Sequence, residues 1–252
     1  MLSFFGLSDT GCQRAANEDR ILLDPARSLF LLADGMGGQR RGEYAAEQAL
    51  AAISEYFQSF VGEQAPRPFG HDPALSAACN VIATAIRVAN QRIWRLSEDS
   101  AENSGMGCTI VAVSVTQNVA TIGSVGDSRV YLYRDGRVHS LTNDDSLVAK
   151  LVESGQITQA EVESHPMRSV LLQAAGPSEA INPQAVDEPL RIGDRLLLSS
   201  DGLHGVVSDL DLAAILERHR TSEQAVAALI AAARDRGGPD NISAILIDYQ
   251  SG

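Results

Sequence analysis

Residues 31–43 read LLADGMGGQRRGE, in which an apolar run ends in Asp34 and three glycines follow within four residues. An apolar run closed in this way is typical of a buried strand that delivers a carboxylate to a sheet edge. Glycines at that point let a ligand or a metal ion approach the main chain, because they lack a Cβ atom. Asp and Gly are also ordinary turn residues, so this stretch taken alone favours a plain glycine turn.

The same kind of strand ending recurs elsewhere in the chain. Four aspartates share a position at the edge of an apolar run, and they are Asp34, Asp127, Asp201 and Asp240. An acidic pair, Glu18 and Asp19, lies in GCQRAANEDR (11–20). Oxygen ligands on rigid elements suit a hard cation, so the pattern predicts a Mg²⁺ or Mn²⁺ site. Zinc fits poorly, because no paired His or Cys ligands accompany the acids.

Composition narrows the class of protein. The chain has 252 residues, 44% of them hydrophobic, with 20 Lys and Arg against 32 Asp and Glu and a net charge of -12. That balance argues against a nucleic-acid-binding surface, which needs a basic stripe. An acidic total fits carboxylates that hold cations and fits an acidic soluble surface equally well. With no repeat and no linker-like stretch, one domain over 1–252 is preferred to two small ones.

The cysteines and the termini predict a cytoplasmic protein. Cys12, Cys79 and Cys108 form no C-x-x-C pair, and we expect buried free thiols in a reducing compartment. The first residues lack the basic region of a signal peptide. No apolar run approaches the length needed to span a membrane.

Hydrophobic periodicity predicts helices and strands in separate groups. Helical spacing covers 42–60, 74–97, 143–164, 210–219 and 222–235, with Ser208 and either Thr221 or Ser222 as N-caps. Short β-branched or leucine-rich runs predict strands at 21–24, 28–34, 108–115, 119–126, 128–141, 194–202 and 241–249. Asp135-Gly136 is a hairpin signal. Strands grouped between helix pairs indicate antiparallel sheets with helices outside.

Eight segments, in order, resemble the metal-dependent Ser/Thr protein phosphatases of type 2C in their bacterial form. They are SDTGCQRAANEDR (8–20), LLADGMGG (31–38), GCTIVAV (107–113), ATIGSVGDSRVYLYRDG (120–136), LTNDDSLV (141–148), HPMRSVL (165–171), DRLLLSSDGL (194–203) and GGPDNISAIL (237–246). The resemblance implies an α+β fold, a four-layer α-β-β-α sandwich with two central antiparallel sheets flanked by helices. It also implies a flap around 142–170 within the one catalytic domain.

The resemblance assigns metal-binding roles to residues of this chain. Asp34 matches the carboxylate that bridges two Mn²⁺ or Mg²⁺ ions, and Gly35 matches the donor of a main-chain carbonyl oxygen. Asp201 and Asp240 match further carboxylates on the first ion.

The second ion and a weaker third site involve other residues. Glu18 and Asp19 match the acidic pair that serves the second ion, partly through water. Asp127 and Ser169, with the shared aspartate at 201, match the third site of bacterial relatives. Arg14 matches the residue that grips the substrate phosphate.

The activity implied is hydrolysis of phosphoserine and phosphothreonine in proteins by metal-activated water, without a covalent phosphoenzyme. The implied partners are proteins that a Ser/Thr kinase has phosphorylated. The chain is expected to be a monomer that binds neither nucleic acid nor membrane. The alternative is a catalytically weak member that binds phosphoproteins as a regulatory module. A nucleotide- or calcium-binding protein is disfavoured, because P-loop and EF-hand spacings do not occur.

One departure concerns the general acid. Met36 stands where eukaryotic relatives carry a histidine after Asp-Gly. His165, in the flap, and His204, near the SSDG motif, are the remaining histidine candidates. For His165 a structural role is favoured over catalysis.

Overall fold

Twelve strands and six helices make up the described parts of the chain. A computed structural model describes residues 1–37, 41–60, 65–162 and 164–251. The strands are β1 (Leu2–Asp9), β2 (Arg20–Asp24), β3 (Leu29–Ala33), β4 (Gly35–Met36), β5 (Gly107–Cys108), β6 (Ile110–Thr116), β7 (Val119–Val125), β8 (Arg129–Arg134), β9 (Arg137–Ser140), β10 (Gln184–Pro189), β11 (Arg195–Ser199) and β12 (Ile242–Tyr249). The helices are α1 (Arg41–Gln58), α2 (Ala77–Glu98), α3 (Leu147–Glu153), α4 (Asp201–His204), α5 (Asp209–Arg218) and α6 (Ser222–Asp235).

Two five-stranded antiparallel sheets form the centre of the fold. One has the order β1-β12-β11-β8-β9, the other has β10-β7-β6-β3-β2, and β4 and β5 pair separately. Helices α1 and α2 cover the outer face of the second sheet, and α4, α5 and α6 cover that of the first. The predicted four-layer α-β-β-α sandwich is confirmed.

Strand β3 shows why its sequence is apolar at every position. Leu29, Leu31 and Ala33 pack under the helices α1 and α2, whereas Phe30 and Leu32 pack against the opposite sheet. Alternate side chains of a strand point to opposite faces, so a strand in an inner layer buries both sets. An uninterrupted apolar run is therefore the mark of a strand between two layers.

The register brings particular strand ends to the same edge. Ser199, the last residue of β11, pairs with Ala244 near the start of β12 and with Arg129 at the start of β8. In the other sheet, the end of β7 at Val125 pairs with Ile110 at the start of β6. Residues that directly follow or precede these ends consequently gather at one edge of the sandwich.

The predicted element boundaries hold to within a few residues, with local exceptions. Helices expected over 42–60 and 74–97 are α1 and α2, while 61–64, in the loop between them, lies outside the described residues. The Asp135-Gly136 hairpin is confirmed, with φ of 52° and 76°. Ser208 and Thr221 cap α5 and α6 through their side chains.

A helix over the whole of 143–164 is wrong. Only α3 and a short 3-10 turn at Gln159–Glu161 are helical, and residue 163 lies outside the described residues. The Ser146 hydroxyl accepts a hydrogen bond from the Ala149 amide at 3.2 Å and starts α3. Gly155, at φ +70°, adopts the left-handed conformation that ends it.

Two edge strands were not anticipated, and one cysteine was misplaced. Strands β1 and β10 lie at sheet edges, where partial exposure weakens the periodic pattern on which strand prediction depends. Cys79 and Cys108 are buried free thiols as expected, but the prediction for Cys12 is wrong, because it is exposed. Cys12 lies in the turn after β1, where its amide donates to the Gly238 carbonyl at 2.8 Å.

No helix in the described ranges is both long enough and apolar enough to cross a membrane.

Candidate metal-dependent active site

One cavity of about 710 Å³ collects nearly all the residues singled out from the sequence. The predicted site residues that line it are Arg14, Glu18, Asp34, Gly35, Asp127, Ser169, Asp201 and Asp240. Asp19 lies behind the cavity wall and is only 1% exposed. Residues spread over more than 220 positions of the chain thus share one site.

The strands position the aspartates by ending beside one another. Asp34 follows β3 directly, and Asp201 begins α4 two residues after the end of β11. Asp127 lies in the turn between β7 and β8, and Asp240 precedes β12. Each carboxylate therefore lies within two residues of a strand end, where the sheets fix its position.

The glycine after Asp34 is required by close main-chain packing. A Cβ atom on Gly35 would lie 2.2 Å from the carbonyl oxygen of Gly42 in α1. A Cβ atom on Gly42 would in turn lie 2.8 Å from Oε2 of Glu18. Neither position has room for a side chain. Because both are glycine, the start of α1 can lie close to β4 and to the Glu18 carboxylate. Gly38, the last glycine of this stretch, lies outside the described residues.

The gathered carboxyl groups raise one another's pKa. Burial raises the pKa of Asp34 well above its ordinary value, and the charges of Asp19 and Asp201 raise it further. Burial, followed by the charge of Asp201, raises the pKa of Asp127 to about 7. For Asp201 itself the pKa rises through burial and the charge of Asp240. Such a cluster of enclosed acids favours the approach of positive charge.

Asp19 carries an atom that the protein leaves without a partner. Its Oδ2 accepts a hydrogen bond from the Ser200 hydroxyl at 2.8 Å, whereas its Oδ1 is buried and accepts none within the described residues. Burial raises the pKa of Asp19 to about 6, against the lowering effect of the nearby Ser243 and Ser200 hydroxyls. A buried carboxylate oxygen without a partner is costly unless a cation or water meets it.

Arg14 supplies positive charge at the cavity rim. Its Nη2 atom lies 2.6 Å from Oδ2 of Asp240, and its side chain is 55% exposed. The hydrogen bond to Asp240, with the charges of Asp201 and Asp34, raises the pKa of the Arg14 guanidinium. The guanidinium has five N–H donors, so donors remain for a second oxyanion.

The donor set fits divalent hard cations. All candidate ligands are carboxylate, carbonyl or hydroxyl oxygens, which is the set that Mg²⁺ and Mn²⁺ prefer. Across the described ranges, no three acidic, His or Cys side chains are grouped as a complete metal site, and Asp240 is paired with Arg14. A bound cation would give the buried Asp19 Oδ1 a partner. It would also stabilise the ionised form of Asp34, whose pKa is raised.

Asn241 supports the site and was not singled out from the sequence. Its Oδ1 accepts from the Glu18 amide at 2.8 Å, and its Nδ2 donates to the carbonyls of Thr10 and Ala16 at 2.9 Å. This side chain holds the 10–18 segment against the start of β12. Its position directly after Asp240, before an apolar strand, is the signal that could have identified it.

A second support fixes the turn that carries Asp127. The Thr109 hydroxyl accepts from the Asp34 amide at 3.3 Å and shares a 2.7 Å hydrogen bond with the Ser128 hydroxyl. The Asp145 carboxylate accepts from the Gly126 amide at 3.1 Å, and the Asp145 amide donates to the Gly126 carbonyl at 2.8 Å. The turn is thereby tied both to the end of β3 and to the base of the flap.

The two histidine candidates lie away from the cavity lining. Nδ1 of His165 accepts from the Met167 amide at 3.2 Å, which is a local turn contact. His204 is the last residue of α4, and its Nδ1 lies 2.9 Å from the Ser199 hydroxyl. Burial lowers the pKa of His204 well below its usual range, so this ring is neutral near pH 7. Met36, in contrast, lines the cavity.

Comparison with known proteins gives consistent matches. The family described as Protein phosphatase 2C matches residues 12–246. A putative protein phosphatase 2C-type of Streptococcus pyogenes is 34% identical over 248 residues, 97% of this chain and 96% of that protein. The serine/threonine protein phosphatase PstP of Mycobacterium tuberculosis is 35% identical over 255 residues, 100% of this chain and 46% of that protein.

A solved structure matches the fold along almost its whole length. The catalytic domain of the serine/threonine protein phosphatase PstP, in complex with two manganese ions, has a TM-score of 0.85 and 31% sequence identity. The match covers 99% of each chain.

Proposed function

The chain belongs to the protein phosphatase 2C family and is a metal-dependent serine/threonine protein phosphatase, and from that premise we propose which residues perform the reaction. Asp34 would hold both of two Mn²⁺ or Mg²⁺ ions, and Gly35 would offer its carbonyl oxygen to one of them. Asp201 and Asp240 would hold the first ion. Glu18 and Asp19 would serve the second ion, partly through water.

The observation that carries this assignment is the shared cavity. Carboxylates from four separate strand ends line it, and burial raises the pKa of each of three of them, Asp34, Asp127 and Asp201. Arg14 is paired with only one of these carboxylates, Asp240, so an enclosed acidic cluster of this kind favours the binding of cations. When bound, the ions supply the positive charge that neutralises phosphoryl oxygens and activates water for attack.

Arg14 binds the phosphate of the substrate. Its planar guanidinium presents parallel donors that match two phosphoryl oxygens, a geometry that lysine lacks. In the absence of substrate the guanidinium is held by Asp240 at 2.6 Å, which places it at the rim before the phosphate arrives. The phosphate dianion of the substrate can then bind the N–H donors of Arg14 that Asp240 does not use.

Asp127, Asp201 and Ser169 form a third, weaker cation site. All three line the cavity, and Ser169 is exposed on the flap. A cation held there would link the flap to the turn before β8. The flap, residues 142–170, is a subregion of one catalytic domain that spans 1–252.

The substrates are proteins that a partner Ser/Thr kinase has phosphorylated on serine or threonine. The enzyme acts as a monomer in the cytoplasm. The net charge of -12 and the acidic cavity disfavour nucleic acid. A regulatory module without activity would be expected to lack ligand carboxylates, and none is missing here.

Hydrolysis of p-nitrophenyl phosphate, with and without Mn²⁺, tests the proposal. We expect turnover that needs Mn²⁺ or Mg²⁺, disappears with EDTA and is insensitive to okadaic acid. Asp34→Ala should abolish turnover and reduce the number of Mn²⁺ ions bound in calorimetry. Full turnover by metal-free protein, or near-normal turnover by Asp34→Ala, would refute the assignment.

A further inference from the structure

The segment that carries the acidic pair has no regular secondary structure. Residues 17–19 lie between β1 and β2, so their main-chain groups need partners other than a neighbouring strand. Glu18 lines the catalytic cavity, and Asp19 is buried behind its wall. The placement of both carboxylates therefore depends on what holds this short segment.

Asparagine side chains hold the amide groups of the segment. Oδ1 of Asn241 accepts from the Glu18 amide at 2.8 Å, and Oδ1 of Asn17 accepts from the Asp19 amide at 3.1 Å. Nδ2 of Asn17 in turn donates to the Ser8 hydroxyl at 2.7 Å. These contacts fix the donor side of the segment and leave its carbonyl groups to other partners.

Arg20 holds the segment by its carbonyl groups. Nη1 of Arg20 donates to the Asn17 carbonyl at 3.0 Å and to the Asp19 carbonyl at 2.7 Å. The two carbonyls belong to the residues on either side of Glu18, so one nitrogen atom holds both ends of the segment. Hydrogen bonds from a charged donor are stronger than those between neutral groups.

The same guanidinium also binds the first helix. Nη2 of Arg20 donates to Oε1 of Glu43, in the first turn of α1. That turn contains Gly42, where a Cβ atom would lie 2.8 Å from Oε2 of Glu18. Arg20 therefore fixes the acidic segment relative to the helical turn that packs against the Glu18 carboxylate.

We propose that Arg20 is a positioning residue for the second metal ion, because it holds Glu18 and Asp19 where they would serve that ion. The inference rests on the proposed function. Arg20 lies outside the cavity lining, and its charge is paired with Glu43, so it acts through the acidic pair. Loss of a residue that orients metal ligands typically lowers metal affinity 10–100-fold.

Electrostatics and positioning predict opposite results when this side chain is lost. Removal of a positive charge near a cation site favours cation binding. Removal of the hydrogen bonds to the two carbonyls lets the acidic pair move, which weakens cation binding. The sign of the change in Mn²⁺ affinity therefore separates the two effects.

Calorimetric titration of the metal-free protein with Mn²⁺ measures this sign. Arg20→Met keeps an unbranched stem and removes the charge and every donor. We expect it to bind one of the two Mn²⁺ ions about tenfold more weakly and the other as the wild type does. Arg20→Lys keeps a charged donor and should restore part of the affinity.

A second variant removes the charge and keeps an amide. Arg20→Gln should also bind the affected ion more weakly than the wild type, and it decides the matter if Arg20→Met does not fold. Affinity for both ions that equals or exceeds that of the wild type, in Arg20→Met or in the glutamine variant, overturns the positioning role.

Arg92 provides the matched control. It pairs with Glu55 of the same helix, α1, and its side chain is 31% exposed, against 30% for Arg20. Arg92→Met should leave both Mn²⁺ affinities unchanged. An equal loss of affinity in Arg92→Met would show that the effect is not specific to Arg20, and it would overturn the proposal.

Amide hydrogen exchange of the metal-free protein gives a readout that needs no bound ion. We expect faster exchange in residues 17–19 of Arg20→Met and no change there in Arg92→Met. Unchanged exchange in Arg20→Met overturns the positioning role, because the segment would then be held without this side chain.

The wild-type protein separates failure of this inference from failure of the proposed function. If it binds two Mn²⁺ ions and hydrolyses p-nitrophenyl phosphate, while Arg20→Met binds both ions as tightly, the role of Arg20 is wrong and the phosphatase assignment stands. If the wild type binds no Mn²⁺, the proposed function fails, and the role of Arg20 fails with it.

Discussion

Replacing Asp127 with asparagine removes a carboxylate that the fold encloses near other acids. Burial, and then the charges of Asp201 and Asp144, raise its pKa to about 7, against lowering by a backbone hydrogen bond and by Arg129. The ionised form therefore destabilises the metal-free fold. Asn keeps the size of the side chain and removes the charge, so we expect Asp127→Asn to stabilise the metal-free protein at pH 8.

The size of the effect follows from the shift. The pKa of Asp127 rises from an ordinary value of 3.8 to about 7, which is about three pKa units. At 1.36 kcal/mol per unit, this rise corresponds to at most about 4 kcal/mol. The residue is partly exposed to the cavity, and solvent reduces such an energy. We expect a gain of about 2–4 kcal/mol in the free energy of unfolding.

The pH dependence has a definite sign. Because the folded state holds the proton more tightly than the unfolded state, the destabilisation is complete above pH 7 and declines as the pH falls through the folded-state pKa. It vanishes below the ordinary pKa of 3.8. The advantage of Asp127→Asn should therefore be less than half as large at pH 5 as at pH 8.

Urea unfolding of metal-depleted protein measures this difference. Fluorescence of Trp94, the single tryptophan, and circular dichroism at pH 8 and pH 5 give the free energies. Asp235→Asn, an exposed residue at the end of α6, should change stability by less than about 0.5 kcal/mol at both pH values. Equal gains at pH 8 and pH 5, or a loss at pH 8, would refute the electrostatic reasoning.

Three further changes test other parts of the site. Arg14→Ala should raise KM for a phosphate monoester roughly tenfold. Because it frees Asp240, it should leave the Mn²⁺ affinity measured by calorimetry unchanged or slightly higher. A large loss of Mn²⁺ affinity would mean that Arg14 organises the metal site. Gly35→Ala should destabilise the protein by at least about 1–3 kcal/mol in urea unfolding, because its Cβ would lie 2.2 Å from the Gly42 carbonyl; normal stability would show that this contact relaxes freely. Asp145→Ala should lower kcat and increase amide hydrogen exchange in the turn before β8, and unchanged exchange would remove its positioning role.

Local sequence was enough to predict most of the elements and to single out most of the candidate site residues. The apolar run of β3, its closure by Asp34 and Gly35, and the same ending at Asp201 are all visible in a few consecutive residues. An uninterrupted apolar run arises when both faces of a strand are buried, so it can be recognised without knowing which strands pair. The family resemblance added roles for these residues, and their metal and phosphate contacts remain predictions.

Only the tertiary structure decided which of these residues meet and what supports them. The pairing of strands far apart in the chain places the ends of β3, β7 and β11 at one edge, and it seats Asn241 against the 10–18 segment. Asn90 of α2 holds the loop that follows the flap, at residues 176–179. Such contacts join residues with no neighbouring pattern in common, because long-range pairing and close packing depend on the whole fold and leave no local periodicity in the sequence.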